Sequence, residues 1–206
     1  MKDWTGNSKS TFSCLGASSH SQDEREENDF YATDPKAIDY LLRNEYFPKD
    51  KQIWECACGT GHLSERLKEH GYNVYSSDLV DRGYQDKCID FLTYSSGGFN
   101  NNIITNPPYK YASEFVLKAL EVVNIGCKVA MFLKIQFVES EKRFKELFSK
   151  YPPKTIHVFV KRIQCAKNGE FKGTRAVCYA WFVWEKGLIG ATELRWINNL
   201  EDDNYE

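Results

Sequence analysis

The chain has 206 residues, 42% of them apolar and 15% aromatic, with a formal net charge of −2. That length supports one α/β domain with a full core and is too short for two. No apolar stretch approaches membrane-spanning length and the amino terminus lacks a basic-then-apolar leader, so a cytoplasmic location is expected.

Residues 1–28 are rich in Ser, Asn and acids and read as a flexible arm, in spite of the apolar Trp4, Phe12 and Leu15. The spacing of Ala37, Ile38, Leu41 and Leu42 predicts a helix over 34–47, stopped before Pro48. A strand is expected at 52–56, a helix over 63–70 ended by Gly71, and a second strand at 74–77. A weak strand near Ile89 and a strong one at 102–105 follow, then a helix over 111–123 and a buried strand at 128–134. A helix over 139–150 ends at Pro152-Pro153, and two strands at 155–160 and 176–184 form a hairpin with a glycine-bearing tip. Alternating strands and helices imply a mostly parallel sheet whose ligands sit at the carboxyl ends of the strands. The domain is expected to run over 29–186, with 187–206 as a carboxyl-terminal tail.

Seven cysteines (Cys14, Cys56, Cys58, Cys88, Cys127, Cys165, Cys178) are an odd number with no Cys-x-x-Cys pair, which disfavours a disulfide framework and a zinc knuckle alike. They read as packing residues. His20, His62, His70 and His157 show no ligand spacing, and no metal is expected. Charge is unevenly spread. Residues 1–50 hold six bases against ten acids, whereas 128–175 hold twelve bases against four acids, a local balance of +8. Such a stripe is the footprint of a phosphate-binding face. Lys142/Glu146 and Glu141/Lys145 are spaced to pair on their own helix. Lys154, Lys161, Arg162, Lys167, Lys172 and Arg175 lie outside it.

Four groups of residues carry chemistry. Asn106-Pro107-Pro108-Tyr109, behind the apolar Ile103-Ile104-Thr105, forms a pocket for a planar amino group: the Asn106 amide oxygen and the Pro107 carbonyl can both accept from one exocyclic NH2, and Tyr109 can stack on the ring that bears it. Upstream, Glu55-Cys56-Ala57-Cys58-Gly59-Thr60-Gly61 is a strand end and glycine turn that lets backbone approach a ligand closely. Glu55 is placed to accept from an ammonium. Asp78 ends the next strand at the distance from Gly59 expected of a ribose-binding carboxylate, with Leu79 beside it. Asp90, ahead of Phe91-Leu92, is placed to hold an amino group beside an apolar wall.

In this order, the four resemble the class I S-adenosylmethionine-dependent methyltransferases, specifically those that methylate adenine amines in DNA. The resemblance runs from about residue 29 to residue 185, and takes in Phe30-Tyr31-Ala32-Thr33-Asp34-Pro35, which looks like the segment that closes over the methionine end of the cofactor. It implies S-adenosylmethionine as cofactor, held by Tyr31, Thr33, Glu55, Cys56, Gly59, Gly61, Asp78, Leu79, Asp90, Phe91 and Asn106. It also implies a single Rossmann-like domain with a seven-stranded sheet in the order 3-2-1-4-5-7-6, the seventh strand antiparallel in a closing hairpin. The family often has Asp-Pro-Ala-Cys-Gly-Thr-Gly at the glycine turn; Glu55 departs from it by a longer arm, which makes its ligand contact indirect.

The same resemblance implies a mechanism. The target base leaves the duplex stack, Asn106 and the Pro107 carbonyl draw the amine lone pair out of conjugation, and Pro108 and Tyr109 shape the seat. DNA is the expected partner, met by Lys134, Lys161, Arg162, Lys167, Lys172 and Arg175, with Phe171 in the 163–175 loop as a second stacking surface or a loop anchor. No cysteine follows a proline, so the nucleophile of enzymes that methylate cytosine at ring carbon is absent. Short phage and prophage adenine methyltransferases often begin with stretches similar to Asn7 to Ser10 and Gly16 to Ser18, which implies an arm able to order over the site. Adenine in RNA, the N4 amine of cytosine and glutamine in protein remain alternative targets of the tetrapeptide, and a silent nucleic-acid-binding protein is the alternative from a different class. A monomer and a homodimer are both compatible with the sequence.

Overall fold

A computed structural model of the chain describes residues 32–95, 97–163, 165–166 and 177–197. The expected arm over 1–28, Tyr31 and the loop residues Lys167, Phe171, Lys172 and Arg175 lie outside them.

The elements in chain order are β1 (Ala32–Thr33), α1 (Lys36–Asn44), β2 (Ile53–Glu55), α2 (His62–Glu69), β3 (Val74–Asp78), β4 (Lys87–Cys88), β5 (Asn102–Thr105), α3 (Ala112–Val122), β6 (Lys128–Lys134), α4 (Glu141–Arg143), β7 (Thr155–Phe159), β8 (Cys165–Ala166), β9 (Tyr179–Glu185) and β10 (Glu193–Ile197). After α4 the backbone widens into a π-type turn over Phe144–Phe148, so the helix expected at 139–150 is shorter and less regular than its spacing suggests. Tyr109–Tyr111 is one 3-10 turn ahead of α3.

One eight-stranded sheet runs in the order β10-β7-β9-β6-β5-β2-β3-β4. From β4 to β7 its first seven strands reproduce the expected order, and β9 is antiparallel to both β6 and β7. The eighth strand is the difference. β10 lies parallel to β7 on the outer edge, inside the segment read as a tail. Four of its five residues are exposed, so it is held by backbone pairing and by the buried Ile197, and it carries none of the apolar alternation that marks a half-buried strand.

Central strands are buried on both faces, which is why β6 and β9 read as unbroken apolar runs. On one face, Trp54, Val129, Met131 and Phe182 pack against Phe115 and Val116 of α3. On the other, Ile53, Ile104, Phe132 and Trp181 pack against Ile38 and Leu41 of α1 and Leu63 and Leu67 of α2. Trp181 Nε1 donates to the Ala37 carbonyl at 2.8 Å, which pins α1 across β9. Among the described residues no helix is long and apolar enough to cross a membrane.

Where the parallel strands begin, a buried carboxylate binds three elements together. Glu45, just past α1, accepts from Lys128 Nζ of β6 at 2.6 Å and lies 3.0 Å from His157 Nε2 of β7. Burial alone would raise the Glu45 carboxyl, but these two partners hold it down at about 2. A carboxylate lowered by folding adds stability above its ordinary value near 4.5 and loses it as the pH falls toward 2. Glu45→Gln should therefore cost about 2–4 kcal/mol at neutral pH by stranding Lys128, and should flatten the acid limb of the stability curve. Urea unfolding of both proteins across acid pH checks this; parallel curves would contradict it.

Candidate active site

Gly59 and Gly61 carry the chain from β2 into α2 with φ of 55° and 86°, the left-handed region that side chains with a Cβ avoid. Gly59 N–H donates to Asp78 Oδ2 at 2.8 Å and Cys58 N–H to the Ser77 carbonyl at 3.0 Å, so the turn is fastened to the end of β3. The other Asp78 oxygen accepts from Val80 N–H at 3.0 Å. Two of roughly four lone-pair sites on that carboxylate are thus used by backbone, which leaves capacity for ligand hydroxyls. Leu79 is exposed beside it.

Glu55 ends β2 beneath this turn, buried, with the Ser64 hydroxyl of α2 donating to it. Burial is the largest influence and pushes its carboxyl up to about 8, with the Asp78 charge adding to the rise. At neutral pH Glu55 is therefore mostly protonated, and its side chain is directed at α2 where the sequence suggests an ammonium contact.

Two other expected cofactor contacts turn inward. Phe91 is 2% exposed, wedged between Trp54 and Phe115 with ring centroids 5.2 Å from each. Cys56 is buried in the same core. Both side chains are buried, in a stretch whose residue pattern is as good for core as for a binding wall. Asp90 is exposed and accepts from Leu92 N–H at 3.0 Å, capping the short turn after β4.

The Asn106 group gathers at the end of β5. Asn106 Nδ2 donates to Thr33 Oγ1 at 2.8 Å. Tyr109 stacks on Tyr179 of β9 at 6.0 Å between centroids, and Tyr179 stacks on Phe132 at 5.0 Å, so an aromatic column runs from the core to the site. Lys134 Nζ lies 5.1 Å from the Tyr109 ring centroid. Burial drives the Tyr109 phenol well above its ordinary range, which keeps it neutral. Above this group β1 and β8 pair antiparallel, with Thr33 opposite Cys165.

Sequence reasoning missed Ser64, Tyr84, Cys165 and Tyr179. The first three sit in positions with no periodic signal, and Tyr179 reads only as one residue of the strand expected at 176–184. Lys145 and Lys142 pair with Glu141 and Glu146 as their spacing predicts. Other bases of the segment also have partners within the chain: Lys154 pairs with Glu185 at 2.8 Å and Lys128 with Glu45, while Arg143 donates to the Phe137 and Glu139 carbonyls. Lys134, Lys161 and Arg162 are the expected phosphate ligands that lie among the described residues. No group of three His, Cys, Asp or Glu among those residues could hold a metal ion.

No family model matches the chain, and no curated protein does. Solved structures do. A Listeria monocytogenes protein described as a class I S-adenosylmethionine-dependent methyltransferase aligns with a TM-score of 0.54 and 14% identity over 82% of this chain and 64% of its own. TrmN from Thermus thermophilus aligns with a TM-score of 0.50 and 16% identity over 74% and 48%. The type IIG restriction endonuclease BpuSI aligns with a TM-score of 0.51 and 15% identity over 74% and 25%. This chain spans less than two thirds of each. At such identities the likeness shows the fold, and the fold is that of the class I methyltransferases.

Tyr84 offers a local test of the glycine turn. Its ring lies flat on Gly61, so that a Cβ there would meet ring carbons at 2.3 Å. Its hydroxyl donates to Glu65 Oε1 at 2.5 Å and accepts from Lys68 Nζ at 3.0 Å. Gly61→Ala should lose about 1–2 kcal/mol to backbone strain and more to the clash. Adding Tyr84→Ala should return the clash component alone, a non-additivity read by denaturant unfolding of the double-mutant cycle. Strict additivity would show that the ring simply moves aside.

Proposed function

We propose that this protein transfers a methyl group from S-adenosylmethionine to the exocyclic N6 amine of adenine in DNA. The observation that carries the reading is Asn106-Pro107-Pro108-Tyr109 at the carboxyl end of β5, beside the Gly59–Asp78 turn at the ends of β2 and β3, in a class I methyltransferase fold.

The residues at the turn fit the cofactor. Gly59 and Gly61 turn the backbone sharply at the end of β2, and Asp78 has acceptor capacity for ribose hydroxyls. When bound, the cofactor supplies an electrophilic sulfonium methyl, so the protein needs no nucleophile of its own. Asp78 anchors the ribose, Asp90 and Leu79 flank the adenine end, and Thr33 lies at the methionine end next to Asn106. Glu55 acts through the turn it underlies.

On the substrate side, Asn106 and the Pro107 carbonyl accept from the target amine and hold its lone pair toward the methyl. Thr33 fixes the orientation of the Asn106 amide. Tyr109, backed by Tyr179, supplies the flat surface for a base taken out of the stack, worth about 1–3 kcal/mol. Lys134, Lys161 and Arg162 are assigned to phosphates, joined by Lys167, Lys172 and Arg175 of the loop. The fold likeness to a restriction endonuclease supports DNA as the substrate.

Two substitutions separate the halves of the site. Asn106→Ala should abolish methyl transfer with cofactor affinity nearly unchanged. Asp78→Ala should weaken cofactor binding by about 1.5–3 kcal/mol, the worth of a hydrogen bond to a charged group. Calorimetric titration of both variants with S-adenosylmethionine, alongside a transfer assay, reads the split. Rate losses of only a few-fold at Asn106, or unchanged affinity at Asp78, would sink the assignment.

A further inference from the structure

Polar side chains from separate parts of the chain converge on one sulfur. Cys165 Sγ lies 3.6 Å from the Tyr109 hydroxyl, 3.8 Å from Thr33 Oγ1 and 4.0 Å from Asn106 Nδ2. Thr33 comes from β1, Asn106 from the end of β5 and Tyr109 from the turn before α3, while Cys165 itself belongs to β8, 132 residues from its strand partner Thr33. Cys127 Sγ also meets polar groups, Lys51 Nζ at 3.4 Å and Asn100 Oδ1 at 3.7 Å, but just ahead of β6, at the end of the sheet where the parallel strands begin and not at the Asn106 end. Cys165 is only partly buried, at the edge of the core on the α1 and α2 face.

We propose that Cys165 is a substrate-contacting, specificity-determining residue, its thiol forming the wall against which the edge of the target base is set. The proposal rests on the reading of Asn106 and Tyr109 as the seat of that base. A ring set on the Tyr109 face with its amine at Asn106 has this sulfur at its rim, since Cys165 Sγ lies 4.0 Å from Asn106 Nδ2 and 3.6 Å from the Tyr109 hydroxyl. A thiol suits that place because it is a weak donor and a weak acceptor, so it does not compete with Asn106 for the amine, while its polarisable sulfur makes favourable contact with a ring edge. Burial raises the thiol pKa, so the sulfur stays neutral beside an uncharged base. Pairing of β8 with β1 sets the distance of this wall from Asn106, since Thr33 is bonded to both.

Accessibility of the sulfur and the bulk it tolerates both test this in the full chain. Iodoacetamide is applied to the protein alone, with S-adenosylhomocysteine, and with S-adenosylhomocysteine plus a DNA oligonucleotide, and the Cys165 peptide is followed by mass spectrometry. The oligonucleotide should slow alkylation of Cys165 about tenfold beyond S-adenosylhomocysteine alone, and the alkylated protein should bind cofactor within about twofold of the untreated affinity while failing to transfer methyl. Cys165→Leu should lower kcat/KM for DNA about a hundredfold by displacing the base. Cys165→Ser, a smaller change that keeps the fold, should raise KM for DNA several-fold with little loss of kcat and should remove the iodoacetamide sensitivity. Equal alkylation with and without DNA, or full activity after Cys165 is alkylated, would overturn the proposal while leaving the proposed reaction intact. Absence of methyl transfer to any nucleic acid by untreated protein would overturn that reaction and this inference with it.

Discussion

Two prolines that have no N–H to give end β5, and the site depends on where they stop it. β5 lies between β2 and β6 at the middle of the sheet. From β2 the chain moves outward through β3 to β4, and from β5 it moves the other way through β6, so the two strands flank the point where the direction of winding reverses. Ligands of open α/β sheets lie in the crevice at that point. Extending β5 by pairing would pull Asn106 into the ladder; the proline pair forbids it and leaves the amide at the crevice. Gly59 and Gly61 do the same for β2 by turning sharply into α2.

Polar chemistry is divided between the two ends of the sheet. Where the parallel strands begin, Glu45 is ionised between Lys128 and His157 and ties α1, β6 and β7 into one body. At the carboxyl ends, Glu55 is held mostly neutral by burial, two glycines take left-handed backbone, and the aromatic column ends in a half-buried tyrosine. One end is arranged for rigidity. The other carries conformations and protonation states that favour binding over stability, and it is affordable because the buried faces of β6 and β9 secure the frame.

Much of this was legible in the sequence for a physical reason. Strands buried on both faces write themselves as apolar runs, and the acids and Asn106 follow those runs directly, so strand positions were legible from pattern, whereas strand order came from the family resemblance. β10 was hidden because Glu193, Leu194, Arg195 and Trp196 all face solvent and leave no alternation to read. Phe91 and Cys56, read as cofactor contacts, point their side chains into the core because a short turn follows each strand there and a core residue and a binding-wall residue look alike in the sequence. Cys165, Tyr84 and Tyr179 reach the site only through pairings far apart in sequence. The partners of Lys128 and Lys154 were hidden for the same reason, since Glu45 and Glu185 lie outside any local window.

The central claim is that the crevice between β2 and β5 methylates an adenine amine. Incubating the protein with S-adenosylmethionine labelled in its methyl group, together with DNA, RNA and protein, then hydrolysing each polymer and identifying the labelled product by mass spectrometry, tests it directly. The account predicts label on N6-methyldeoxyadenosine. Label found only on cytosine, on ribonucleosides or on protein, or on no product at all, would contradict it.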